Sequence, residues 1–293
     1  RYAKGRAIVN FLSVGSDERI LSILPIRELD DPDRFVLFAT RCGYVKRTSL
    51  GDFKNINKSG IIALGLNDGD ALVGTRLVRE DDDVVLVTAM GMAIRFGAGQ
   101  ARSMGRTARG VRGVTLRQDD EVGAMVLVEP DETLLTVTER GFAKRTLFSE
   151  YREQTRGGLG LRNLSRDGLT RNGRVVAARS VRDGDEVILI TEGGKTIRMN
   201  VNLEQFRTMG RATAGVKAID APEGDRLVSL AWVRPEDDED PEGGEAGEET
   251  SGGPATPVDG GAGGETPEGT PSPEAADGQP GGDEADSEGD DSA

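Results

Sequence analysis

The sequence predicts an all-β fold: a β-pinwheel or propeller-like array of four-stranded blades over residues 1–234, followed by a disordered acidic tail over 235–293. Three observations carry that reading. A β-rich motif recurs four times, a glycine-led apolar strand follows each copy, and the C-terminal composition cannot support a core.

The first motif is a β-rich run that closes in T-x-x-G, followed by two residues and then Lys-Arg or Ile-Arg. It appears as FVLFATRCGYVKR (35–47), VVLVTAMGMAIR (84–95), LLTVTERGFAKR (134–145) and VILITEGGKTIR (187–198). The threonines fall at Thr40, Thr88, Thr138 and Thr191, so the period is 48, then 50, then 53 residues. Each T-x-x-G step reads as a hairpin turn in which glycine supplies the positive φ.

About twenty residues later a glycine opens a short apolar strand: Gly60–Leu64, Gly110–Val114, Gly157–Leu161 and Gly215–Ile219. The segments that lead to it match one another, as in RSMGRTARGV (102–111) and RTMGRATAGV (207–216). A third landmark is an acidic turn before a Val/Leu/Ile strand, at Asp17–Ile20, Asp70–Val73, Asp120–Val122 and Asp225–Val228. Each unit thus offers about four short strands, and no stretch shows helical periodicity. Four strands per 40–50 residues is the pattern of propeller blades, which bury their faces only by stacking on neighbours. A partial unit is expected at each end.

Residues 235–293 hold 20 acids, no Lys or Arg, and 8 of the 12 prolines. Such a segment cannot bury enough apolar surface to offset the entropy of ordering it. Subtracting its 20 acids from the chain's 51 leaves 31 acids against 37 bases, a net +6 for residues 1–234. The chain has no histidine, which excludes His-based triads and metal sites, and its single cysteine, Cys42, excludes an intrachain disulfide. No apolar run approaches the roughly 18 residues of a membrane helix. The chain begins at Arg1 in what reads as mid-domain sequence, so an N-terminally truncated piece is expected.

Bases recur in phase with the repeat. The units supply Lys46, Arg47, Lys54 and Lys58; Arg95, Arg102, Arg106 and Arg109; Lys144, Arg145, Arg152 and Arg156; and Lys195, Arg198, Arg207 and Arg211. Acids cluster in other turns, at Asp30–Asp33, Glu80–Asp83, Asp119–Glu121 and Asp183–Glu186. In a blade array, bases at one repeat position gather at one edge, so a positive rim and a separate acidic face are expected. Such a rim would contact duplex phosphates without reading bases. Two plainer readings stay open: charged turns that serve only solubility, and a rim that docks an acidic protein.

These motifs, with RYAKGRAIVNFL (1–12), DERILSILPI (17–26), LNDGDALVG (66–74) and MGRTARGVRGV (104–114), resemble the C-terminal domain of DNA gyrase A. The acidic tail fits the same family. The resemblance implies a six-bladed β-pinwheel whose blades exchange strands and whose basic perimeter wraps double-stranded DNA. It implies a part of a type II topoisomerase that supercoils DNA with ATP, in a heterotetramer with two copies each of gyrase A and gyrase B, cytoplasmic and nucleoid-associated. No catalytic residue, metal or cofactor is expected in this chain; ATP and Mg²⁺ belong to other domains or to gyrase B. Two upstream blades and the catalytic-tyrosine domain would lie outside it.

The family's box, Q-R-R-G-G-K-G, is absent. A degenerate copy, Gln154-Thr155-Arg156-Gly157-Gly158-Leu159-Gly160, keeps five of seven positions in a later blade and reads as an ordinary connection. The related C-terminal domain of topoisomerase IV is the alternative within the family. Phe53, Tyr151 and Phe206 hold equivalent positions and read as packing between blades, as does Trp232. The tail is expected either to compete with DNA for the rim or to act as a solubilising extension.

Overall fold

The computed structural model describes residues 18–57, 59–220 and 224–233. The opening motif 1–12, Asp17, Lys58 and the acidic tail 235–293 lie outside the described residues.

The fold is all-β, with four blades in a propeller-like array. In the first blade, β1 (Phe35–Thr40) and β2 (Tyr44–Ser49) form the T-x-x-G hairpin, and β3 (Leu72–Val78) pairs on the other side of β1. The second blade repeats this with β4 (Asp83–Thr88), β5 (Met92–Gly97) and β7 (Val122–Leu127). The third uses β8 (Thr133–Thr138), β9 (Phe142–Leu147) and β11 (Val175–Val181). The fourth uses β12 (Glu186–Thr191), β13 (Thr196–Asn200) and β15 (Leu227–Val233).

The outermost strand of each of the first three blades comes from the following repeat. β6 (Val111–Arg112), which follows the β4–β5 hairpin, pairs with β2 of the first blade. β10 (Leu161–Arg162) likewise pairs with β5, and β14 (Val216–Lys217) with β9. Sheet order is therefore β3-β1-β2-β6, β7-β4-β5-β10, β11-β8-β9-β14 and, with three strands, β15-β12-β13. The segment Gly60–Leu64, expected as an apolar strand, is not one. Among the described residues no hairpin precedes β1 to receive it, and Ala63 and Leu64 instead pack beside Leu24, Ile26 and Phe53.

Strand alternation builds the cores between blades, because successive side chains point to opposite faces. Leu37 and Ala39 of β1 pack with Leu86, Ile94 and Phe96 of the second blade, whereas Val36 and Phe38 face the other way. Val85 and Val87 then pack with Leu134, Phe148 and Tyr151. Leu135 and Val137 pack with Val187, Leu189 and Phe206. Tyr151 and Phe206 are fully buried at equivalent places and Phe53 is half-buried, as expected of packing aromatics. The Tyr151 hydroxyl donates to Asn163 Oδ1, whose amide donates to Thr136 Oγ1 at 3.1 Å.

The hairpins form as the sequence predicts. In all four the glycine N–H donates to the threonine carbonyl at 3.0 Å. The glycines have φ of 86°, 73°, 80° and 83° at Gly43, Gly91, Gly141 and Gly194. The threonine hydroxyl accepts from the N–H four residues on in three of them (Tyr44, Met92 and Lys195), at 3.1–3.2 Å.

The acidic turns prove to be staples for these hairpins. Asp70 Oδ1 accepts from the N–H groups of Cys42 and Ala71, Asp120 Oδ1 from Met90 and Glu121, and Asp225 Oδ1 from Gly193 and Arg226. Among the described residues the third hairpin has no such aspartate. There Arg140 N–H donates to the Asn172 carbonyl at 3.0 Å, at the end of a seven-residue helix, α1 (Arg166–Asn172). This helix was not expected: it is too short to show periodicity, and Ser165 nucleates it by capping the Gly168 N–H at 2.9 Å.

Candidate nucleic-acid interface

The sixteen bases expected on the rim divide by environment. Four of them are interior, which corrects that expectation. Lys46 and Lys144 are 0% and 1% exposed, and Arg47 and Arg145 are 4% exposed each.

The lysines sit on the second hairpin strand and reach under the connection supplied by the next repeat. Lys46 Nζ donates to the carbonyls of Ala63, Gly105 and Arg106; Lys144 Nζ donates to those of Gly210 and Arg211. They therefore cap the two matching M-G-R loops from below, where carbonyls would otherwise lack partners. Burial pushes the Lys46 ammonium down to about 8 against the pull of Asp52. Burial, then the Arg211 charge, pushes Lys144 down to about 7. At the same repeat position the second and fourth blades carry Ile94 and Ile197.

The arginine that follows is held by the blade itself. Arg95 Nε donates to Asp83 Oδ2 at 2.8 Å, and Arg198 Nε to Glu186 Oε2 at 2.8 Å. Arg145 bonds Thr133 and Asp183, while Arg47 lies 3.6 Å from Glu80 Oε1 and stacks on Phe35. These partners belong to the acidic turns. The expected separation of acidic and basic faces therefore fails at the hairpins, where the two signs are paired.

A further repeated arginine fastens the connections. Arg106 Nη1 donates to the Asp52 carbonyl at 2.9 Å. Arg156 donates to the carbonyls of Gln100 at 2.9 Å and Arg112 at 3.0 Å, and Arg211 to those of Glu150 at 3.1 Å and Arg162 at 2.9 Å. Each is half-buried and ties its loop to the short 3-10 turn of the preceding repeat. This accounts for the arginine of the degenerate box as a connection residue.

The exposed remainder is compact in repeat terms. Lys54, Arg102, Arg152 and Arg207 stand at the head of the connection in successive units, all exposed. Lys54 pairs with Asp30. Arg102, Arg152 and Arg207 form no ion pair or side-chain hydrogen bond among the described residues. The residue after each lies in a parallel bridge to the hairpin arginine: Ser103 to Arg47, Glu153 to Arg95, Thr208 to Arg145. The three guanidinium groups thus hold one fixed place per blade, at the outer end. Arg109 is exposed with one bond to Asn67 Oδ1 at 3.2 Å, Lys195 is exposed in its hairpin turn, and Lys58 lies outside the described residues.

A second row went unrecognised in the sequence. Arg112, Arg162 and Lys217 occupy equivalent places on the outermost strands β6, β10 and β14. Arg112 and Lys217 are exposed, the latter paired with Asp220, and Arg162 is half-buried. The signal was available: a base stands two residues after Gly110, Gly160 and Gly215, where the first unit has Ile62 after Gly60.

The architecture defines a strand-exchanged β-propeller with bases repeated along its outer edge. The family model described as "DNA gyrase C-terminal domain, beta-propeller" matches residues 34–79, 82–129, 132–182 and 185–231, blade by blade. The chain belongs to the DNA gyrase A C-terminal domain family. It is 40% identical over 243 residues to DNA gyrase A of Chlamydia pneumoniae, covering 82% of this chain and 28% of that protein. Against that of Salmonella typhimurium it is 41% identical over 241 residues, covering 82% and 27%. The chain thus spans little more than a quarter of these relatives. It is also similar to solved C-terminal domains of DNA topoisomerase IV (TM-score 0.71, 27% identity, covering 78% of this chain and 70% of that one) and of DNA gyrase A (0.68, 27%, 78% and 75%). Among the described residues no helix is long and apolar enough to cross a membrane.

Proposed function

We propose that this chain is the DNA-wrapping part of a gyrase-type topoisomerase, with duplex DNA following the outer edge of the blades. The observation that carries the reading is the row Arg102, Arg152 and Arg207: exposed, unpaired among the described residues, one per repeat. A duplex on such a row exchanges condensed counterions for guanidinium groups, a gain indifferent to base sequence. Arg112, Arg162 and Lys217 would extend the track on the outermost strands. The buried Lys46, Arg47, Lys144 and Arg145 hold the loops that present it and touch no phosphate.

In the whole enzyme, wrapping would set the handedness of the DNA crossing. ATP, Mg²⁺ and the cleavage residues would come from other domains and from gyrase B, in a complex with two copies each of gyrase A and gyrase B in the bacterial cytoplasm. The curated relatives favour gyrase over topoisomerase IV, since those compared are gyrase A proteins. The test is topological. The chain is incubated with relaxed circular DNA, a separate nicking-closing enzyme is added, and topoisomers are resolved on a gel. A linking-number shift of constant sign supports wrapping. Binding without a shift points to a topoisomerase IV-like docking rim, and no binding points to a protein scaffold.

A further inference from the structure

A cavity of about 420 Å³ opens at the hub, where the inner strands meet, and no role described above uses it. Every blade contributes to its lining: Arg76 from β3, Val126 and Leu127 from β7, Arg179 and Ser180 from β11, Trp232 from β15. Among the described residues Arg76 makes one hydrogen bond, from Nη1 to the neighbouring Thr75 carbonyl at 2.8 Å, and Arg179 lies over the Trp232 ring at 4.7 Å. Neither guanidinium forms an ion pair among the described residues, although Glu129 and Glu132 line the same cavity. Arg182, also at its wall, is 3.7 Å from Asp185. The Ser180 hydroxyl is buried without a hydrogen-bond partner.

Two arginines with spare N–H donors, beside an orphan hydroxyl at the wall, line a space roomy enough for a small oxyanion and make an anion receptor, because guanidinium forks match oxyanion geometry. We propose that the hub cavity binds a small multivalent oxyanion of the phosphate class between Arg76 and Arg179, with Ser180 donating its hydroxyl. Burial and the charge of Arg179 hold Arg76 below its ordinary value, and burial does the same to Arg179 against the pull of Asp185 and Glu132. A bound anion relieves that repulsion and joins a strand of the first blade to one of the third. The space is far too small for a duplex, so this site is separate from the outer track and does not rest on the DNA reading.

Trp232 is the chain's one tryptophan and lies at the cavity, so it reports occupancy. The full chain is titrated with sodium pyrophosphate, ionic strength being held constant with sodium chloride, while Trp232 fluorescence and the melting temperature are followed. The expected result is a saturable change in both. Half-saturation should move by about tenfold or more in Arg76→Gln and in Arg179→Gln, and stay unchanged in Arg102→Gln. A change that never saturates, that survives in both cavity variants, or that disappears in Arg102→Gln overturns the proposal. If the glutamine variants fail to fold by circular dichroism, Arg76→Lys decides, since it keeps the charge and loses the fork. Weakened saturable binding there supports the site, and unchanged binding refutes it.

Discussion

Replacing Arg102, Arg152 and Arg207 together by glutamine tests the outer track most directly. All three are exposed and unpaired among the described residues, so their loss leaves no buried group without a partner. Each phosphate contact contributes about −0.9 to the slope of log K against log salt. Removing three contacts should therefore flatten the slope by roughly 2.7. Between about 50 and 200 mM salt, wild type should lose about 40-fold more affinity than the triple variant. The assay is fluorescence anisotropy on a labelled duplex across a series of salt concentrations, with melting curves to confirm that both proteins are folded. Lys144→Met serves as the interior control: its ammonium faces the Gly210 and Arg211 carbonyls, so its slope should match wild type. A triple variant with the wild-type slope refutes the assignment, as does an interior control that flattens as much.

Other outcomes follow from the same geometry. Gly110 has φ +96°, and a Cβ there would sit 2.4 Å from the Val45 carbonyl oxygen, so Gly110→Ala should cost at least about 2 kcal/mol in urea denaturation. Gly60→Ala, at φ +79° with open space around it, should cost only about 1–2 kcal/mol. Lys144 titrates at about 7 when folded against an ordinary 10.5, so between those values the unfolded chain binds the extra proton. Stability should therefore rise with pH across that window, by up to ~1.4 kcal/mol per unit, and Lys144→Met should lose this dependence in melts run from about pH 7 to 9.5. A neutral amine keeps two N–H donors, enough for both loop carbonyls. Deleting residues 235–293 should tighten duplex binding at low salt if the tail competes for the track; equal affinities would leave it a solubilising extension.

The hairpins, their glycines and the packing aromatics were legible because each is dictated locally. A turn needs positive φ at one residue, and a repeated aromatic needs a neighbour's face to cover it. The fate of the bases was less legible, because the same letters serve two physical roles. Lys46 and Lys144 cap carbonyls, whereas Arg102, Arg152 and Arg207 face solvent. The repeat itself held the clue: a position that reads Lys, Ile, Lys, Ile at 46, 94, 144 and 197 tolerates an apolar side chain and is therefore interior. The positions at 54, 102, 152 and 207 are basic throughout. The acidic turns are legible as turns before a strand, but their bonding role is not. Asp70, Asp120 and Asp225 accept from backbone N–H groups in a hairpin remote in sequence, a role that only the register of the inner strand reveals.

The borrowing of each outermost strand from the next repeat also fixes an order of assembly. As the chain leaves the ribosome, the β1–β2 hairpin precedes both β3 and β6, and its four-stranded sheet stays incomplete until residues 111–112 emerge, after the residues of the second hairpin. The same lag recurs for β10 and β14. Lys46 and Lys144 meet their Arg106 and Arg211 carbonyl partners only once that strand's own connection is in place. Each of the first three blades is thus complete only when its successor's connection is in place, in the manner of a zip whose slider trails the hand.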